Sequence, residues 1–169
     1  MTDTVSQPEI REVNRIVVRF AGDSGDGMQL TGERFTSASA LFGNDLATLP
    51  EFPAEIRAPQ GTLAGVSAFQ VQVSDHDITT PGDAPNVLVA MNPAALKNEL
   101  SKLEEAGTII VNRDTFEERN LKKAGYEDNP LETGELSGYT LFEVPMTSLT
   151  KEVCKGIEGI KPRDAERSK

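Results

Sequence analysis

Arg15-Ile16-Val17-Val18-Arg19-Phe20-Ala21 runs straight into Gly22-Asp23-Ser24-Gly25-Asp26-Gly27, and a helix-like stretch from Met28 to Phe42 follows. The opening run is short, β-branched and apolar, the pattern of a buried strand. The glycines break it. Met28, Phe35, Ala38, Leu41 and Phe42 then recur near one helical face, and Gly43-Asn44 supplies a stop. Strand, turn and helix in that order are the first unit of an α/β fold.

The alternation continues downstream. Leu46 to Leu49 reads as a short strand, and Pro50, Pro53, Pro59 and Gly61 mark a loop. In Val66 to Val73, Phe69, Val71 and Val73 alternate with Gln70 and Gln72, which predicts a strand with one wetted face, at an edge or antiparallel. Asn86 to Met91 is apolar throughout, as a central parallel strand should be. Asn92-Pro93 is a helix start, with a capping side chain and a proline in the first turn. Leu96, Leu100 and Leu103 follow at helical spacing, and Gly107 closes that helix. Thr108 to Val111 is a strand, Thr115 to Ala124 a helical piece, Tyr139 to Val144 a further strand, and a helix starts near Ser148. The expected fold is therefore a three-layer, Rossmann-like α/β domain: a mostly parallel twisted sheet with helices on both faces. Residues 1–14 lack periodicity and read as a flexible arm, and 15–169 as the domain. Arg163 to Lys169 is helix-like without an apolar face or cap, which suggests a domain truncated at its C-terminus.

Bulk properties narrow the function. A chain of 169 residues fits one domain. With 37% apolar residues and no Trp, the core should be aliphatic. The net charge is −10 and the 17 basic residues are scattered, which argues against nucleic acid or an anionic membrane as partner. Cys154 and His76 are the only residues of their kinds. One thiol and one imidazole build no disulfide framework, cysteine-ligated cluster or ordinary zinc site, and do not furnish the usual hydrolase triads. No run approaches the ~20 apolar residues of a membrane helix, and Met1 to Arg11 has no signal-peptide core. A cytoplasmic protein is expected.

The glycine loop sits where phosphate-binding loops sit, between a strand and a helix N-terminus. Its spacing is G-x-x-G-x-G, the reverse of the dinucleotide order, and no clear acid ends the second strand, Asp45 coming at its start. Gly22 and Gly27 have the P-loop separation, but Met28-Gln29 stands where Lys-Ser/Thr would be. Asp26 is placed to cap the helix with its own carboxylate and fill the phosphate position. On the residues alone, a structural turn and a ligand loop stand level.

Phe20-Ala21-Gly22-Asp23-Ser24-Gly25-Asp26-Gly27-Met28-Gln29-Leu30-Thr31-Gly32, however, resembles the N-terminal γ-type domain of 2-oxoacid:ferredoxin oxidoreductases, nearest to the α subunit of the 2-oxoglutarate type. Phe52-Pro53-Ala54-Glu55-Ile56-Arg57-Ala58-Pro59, Pro81-Gly82-Asp83, Val87 to Leu96 and Val144-Pro145-Met146 extend the likeness over nearly the whole chain from Arg15. Ser24 stands where wider relatives often carry a second glycine. The resemblance implies an enzyme that oxidatively decarboxylates a 2-oxoacid, transfers the acyl group to coenzyme A and reduces ferredoxin. It places thiamine diphosphate, magnesium and a [4Fe–4S] cluster in other domains or the β subunit. It makes the rest of the α subunit, the thiamine-binding β subunit and ferredoxin the partners, and implies no catalysis by this chain alone. It sets coenzyme A near this domain, with Gly22, Asp23, Ser24, Gly25, Asp26, Gly27, Arg57 and Asn92 as candidates, Arg57 holding a coenzyme phosphate or the substrate carboxylate.

Plainer readings stand beside these. Arg57 pairs with Glu55 or Glu51, Asn92 is a helix cap, Ser24 a turn hydroxyl, His76 a solvated loop residue and Cys154 a small core residue in a helix. A stand-alone Rossmann-like nucleotide-binding protein and a purely structural assembly module remain the alternatives.

Overall fold

Alternate residues of the first strand, β1 (Arg15–Asp23), feed two different cores. Val18 and Phe20 point into one cluster and Ala21 into another, because successive side chains leave a strand on opposite faces. The computed structural model describes residues 12–23, 25–52, 65–82, 84–155, 157 and 159–161. Most of the expected N-terminal arm, Ser24, the Glu55-Ile56-Arg57 turn, Asp83 and the last residues lie outside the described residues.

The sheet has six strands in the order β2-β3-β1-β4-β5-β6. The further strands are β2 (Asp45–Glu51), β3 (Val66–Ser74), β4 (Val87–Ala90), β5 (Thr108–Asn112) and β6 (Thr140–Val144). Strands β1, β4, β5 and β6 pair in parallel; β3 is antiparallel to both β1 and β2, so β2 again runs along β1. Helix α1 (Met28–Ala40) covers one face, where Met28 packs with Phe20, Phe69 and Val71, and the Phe20 and Phe35 rings meet edge to face at 5.3 Å. Helices α2 (Pro93–Glu99) and α3 (Glu118–Lys123) cover the other face, where Leu96 and Leu121 pack with Ala21, Leu88, Ile109 and Val111. Helix α4 (Met146–Cys154) follows β6 and starts on the α1 side, with Met146 against that core. The three-layer α/β architecture read from the sequence is the one observed.

Several local expectations change. β1 does not stop at Gly22: Gly22 and Asp23 stay in register with Ser67 and Val66. β3 is antiparallel as expected but lies inside the sheet, and its glutamine face is not wet. Gln70 and Gln72 are buried because Pro81 and Gly82 fold over them, their carbonyls accepting from the Gln70 amide at 3.2 and 3.0 Å. α1 ends at Ala40, and Ala38, Leu41 and Phe42 are exposed, not part of its buried face. The stripe that meets the sheet is Met28, Gly32 and Phe35, because Gly32 lets the helix backbone close onto the Phe69 ring. The piece expected over 115–124 splits into a 3-10 turn at Arg113–Thr115 and α3, and the last helix begins at Met146 rather than Ser148. Cys154 closes α4 half-buried, outside either core.

Candidate functional site

The chain leaves β1 toward α1 on one face of the sheet and leaves β4 toward α2 on the other. The carboxyl ends of these two neighbours therefore border the crevice of a topological switch point, the place where open α/β sheets take ligands. Backbone bonds build the mouth. The Met91 amide donates to the Ala21 carbonyl at 2.9 Å, and the Thr115 hydroxyl donates to the Met91 carbonyl at 2.8 Å.

Most of the sequence-chosen residues meet here. Gly22 and Asp23 end β1, and Gly25 to Gly27 lead into α1, with Gly27 at a φ of 72° that favours glycine. Asn92 caps α2: its Oδ1 accepts from the Ala95 amide at 2.8 Å. Its Nδ2 donates across the crevice to Asp23 Oδ1 at 2.9 Å. One side chain therefore caps a helix and ties the two switch-point loops together. Asp26 does not cap α1, contrary to expectation. Gly27 takes the cap position without a side-chain bond, and the Asp26 carboxylate instead accepts from the Asp23 amide at 3.1 Å, while the Asp26 amide donates to the Asp23 carbonyl at 2.9 Å. The loop is closed on itself. Ser24 and Arg57 lie outside the described residues. His76 stands on an exposed turn after β3, its ring nitrogen bonded to Asp75 and Ser74, away from the crevice.

Beneath the crevice lies a polar cluster that the sequence reading passed over. Arg19 is 2% exposed and Glu99 1%. Arg19 Nε donates to Glu99 Oε2 at 2.5 Å, its Nη1 to Gln70 Oε1 at 3.3 Å, and its Nη2 pairs with Glu51. Lys102 completes the group, 3.1 Å from Glu99 and 3.4 Å from Glu51. Burial works against the Arg19 charge, yet the bonds and charges of Glu99 and Glu51 outweigh it and raise the guanidinium above its ordinary value. The signal was present: an arginine inside a strand buried on both faces must be paired.

The hydrogen bond from Arg19, with the charges of Arg19 and Lys102, holds the Glu51 carboxyl below its ordinary value against the opposing effect of burial. A depressed folded-state value adds stability above the unfolded value of 4.5 and loses it as pH falls through the folded one. Glu51→Gln is thus expected to be less stable than the parent at neutral pH, with the gap closing in denaturant titrations below pH 4.5. A gap independent of pH would refute the charge pairing.

A six-stranded sheet with helices on both faces and a bridged crevice at its switch point defines a three-layer α/β domain. More specifically, the chain belongs to the pyruvate ferredoxin/flavodoxin oxidoreductase family, whose model matches residues 17–162. It is 59% identical over 162 residues to the 2-oxoglutarate oxidoreductase subunit KorA of Mycobacterium tuberculosis, covering 96% of this chain. It spans only 25% of the length of that relative. Its fold matches the 2-oxoglutarate:ferredoxin oxidoreductase from Magnetococcus marinus, solved with 2-oxoglutarate, coenzyme A and succinyl-CoA bound, with a TM-score of 0.65 at 24% identity over 92% of this chain and 23% of that one. It also matches the γ subunit of a keto/oxoacid ferredoxin oxidoreductase from Geobacter sulfurreducens, with a TM-score of 0.60 at 16% identity over 92% of this chain and 70% of that one.

Proposed function

We propose that this chain is the γ-type domain of a thiamine-dependent 2-oxoacid:ferredoxin oxidoreductase of the 2-oxoglutarate class. It contributes to coenzyme A binding and to subunit assembly in the decarboxylation of the 2-oxoacid to an acyl-CoA, succinyl-CoA for this substrate, with ferredoxin reduced. The observation that carries the coenzyme A role is the switch-point crevice, bridged by Asp23 and Asn92. The kinship to KorA supports the reaction class, and the M. marinus enzyme, which shares the fold, was solved with coenzyme A bound.

The acidic loop shapes the role. The Asp26 carboxylate accepts from the Asp23 amide and the Asp23 carboxylate accepts from Asn92, so two acids stand at the crevice and the loop is a poor seat for a phosphate. In this reading Gly22–Gly27 and Asn92 form the wall, and the Arg57 guanidinium anchors the coenzyme phosphate. Thiamine diphosphate, magnesium and the [4Fe–4S] cluster belong to other domains or the β subunit. The donor set here does not fit a cluster, which needs several thiolates where the chain has one. The partners are then the rest of the α subunit, the thiamine-binding β subunit and ferredoxin. Exposed apolar side chains at Phe142, Leu149, Val153, Ile157 and Ile160 suit assembly contacts. A cytoplasmic setting is part of this proposal; among the described residues no helix is long and apolar enough to cross a membrane.

Calorimetry on the assembled enzyme tests the site. Arg57→Ala is expected to weaken coenzyme A binding by roughly tenfold or more, the loss of a charge-assisted bond. Unchanged affinity removes Arg57 from the site.

A further inference from the structure

We infer that the buried Arg19–Glu99 pair is a positioning device for the crevice: it locks α2 along β1 so that Asn92 stays seated on Asp23. The inference rests on the coenzyme A reading above. Arg19, Ala21 and Asp23 alternate along one face of β1. Asn92, Leu96 and Glu99 recur along one side of α2, where residues four and seven positions apart line up. The two rows meet as bond, contact, bond. Asn92 Nδ2 donates to Asp23 at 2.9 Å, Leu96 shares a core with Ala21, and Arg19 Nε donates to Glu99 at 2.5 Å. α2 is one short helix of seven residues, so a hold at each end fixes both its slide and its rotation. The Asn92 bond is exposed, whereas the Arg19–Glu99 bond is buried. The buried end is the one that water does not compete for.

The chemistry of the pair favours geometry over stability. Apolar residues of like volume usually hold a core as well as a buried ion pair does, and the best-attested use of such a pair is to set a register. Glu99 is also gripped locally, accepting from Asn98 Nδ2 at 2.7 Å and lying 3.1 Å from Lys102 in the 3-10 turn that follows α2. A shift of α2 relative to β1 carries those local contacts along and breaks the Arg19 bond. Neither Arg19 nor Glu99 is a catalytic residue; both act through Asn92.

The test compares Arg19→Met/Glu99→Leu with Asn92→Ser in the assembled oxidoreductase. Serine keeps the α2 cap but cannot reach Asp23 as asparagine does. Both variants are expected to raise KM for coenzyme A by about tenfold or more, as small misplacements at a site do. KM for 2-oxoglutarate should stay constant and kcat at saturating coenzyme A should stay within about twofold, since only binding geometry changes. The double variant should keep its melting temperature. If Asn92→Ser raises KM for coenzyme A and the double variant does not, the positioning role is wrong and the coenzyme A reading stands. If neither moves it, both are wrong. A drop in kcat and melting temperature with every KM unchanged marks the pair as purely structural and overturns the inference.

Discussion

Gly32→Ala is expected to destabilise the domain by about 3 kcal/mol, the upper part of the usual overpacking range. A Cβ at this position would lie 2.1 Å from Phe69 Cδ1, 2.3 Å from Cγ and 2.7 Å from Cε1. No rotamer of the added methyl exists to relieve the clash, so either the ring or the helix must move. Phe69 is 5% exposed and packed among Phe20, Met28 and Val71, so displacing the ring breaks those contacts. Lifting α1 instead opens the core on that face and drags the Gly25–Gly27 loop with it. Thermal unfolding should fall by roughly 6–12 °C, at about 2–4 °C per kcal/mol for a domain of this size. Adding Phe69→Leu should restore part of the loss. An unchanged melting temperature would mean that α1 does not approach β3 as closely as the structure has it.

The second large effect is expected at Glu99. Glu99→Ala leaves Arg19 buried with Glu51 as its remaining carboxylate, and Glu51 is half-exposed. Breaking a buried pair from one side costs about 3–5 kcal/mol, because the remaining charge has lost its compensation. Arg19→Met/Glu99→Leu should recover most of that loss, since nothing charged is then stranded at that spot. Denaturant melts of the three proteins read the difference directly. If the single substitution is as mild as the double, the cluster is wetter than its burial indicates. The comparison also separates two meanings of the cluster: stability should return with apolar residues, while the seating of Asn92 should not.

The architecture was largely legible because it is written in periodicity. The β-branched run at Ile16–Phe20, the apolar block at Val87–Ala90 and the Asn-Pro start of α2 each carry a local signal that tertiary contacts reinforce. The errors came where a long-range contact decides. Gln70 and Gln72 look like a wet face, and only the Pro81-Gly82 turn folding over them makes that face buried. Leu41 and Phe42 continue a plausible helical stripe, but the close approach at Gly32 sets the rotation of α1 and leaves them outside. Asp26 had the composition of a cap, yet its carboxylate finds the Asp23 amide first.

The site was half legible. Position along the chain placed Gly22–Gly27 and Asn92 at strand ends, and the fold brings them to one crevice. The Asp23–Asn92 bond joins residues 69 apart, a pairing that no local pattern encodes. Arg19 was conspicuous as a charge in an apolar strand, but its partners, Glu51 and Glu99, come from β2 and α2 and are fixed only by the sheet order.

The central claim is that this crevice belongs to the coenzyme A site of a larger oxidoreductase. The most direct measurement is a structure of the assembled enzyme with coenzyme A bound. The account predicts coenzyme atoms in contact with the Gly22–Gly27 loop or Asn92, and a coenzyme phosphate on Arg57. Well-ordered coenzyme A touching none of these residues, with protein alone filling the crevice, would contradict it and leave the domain an assembly module.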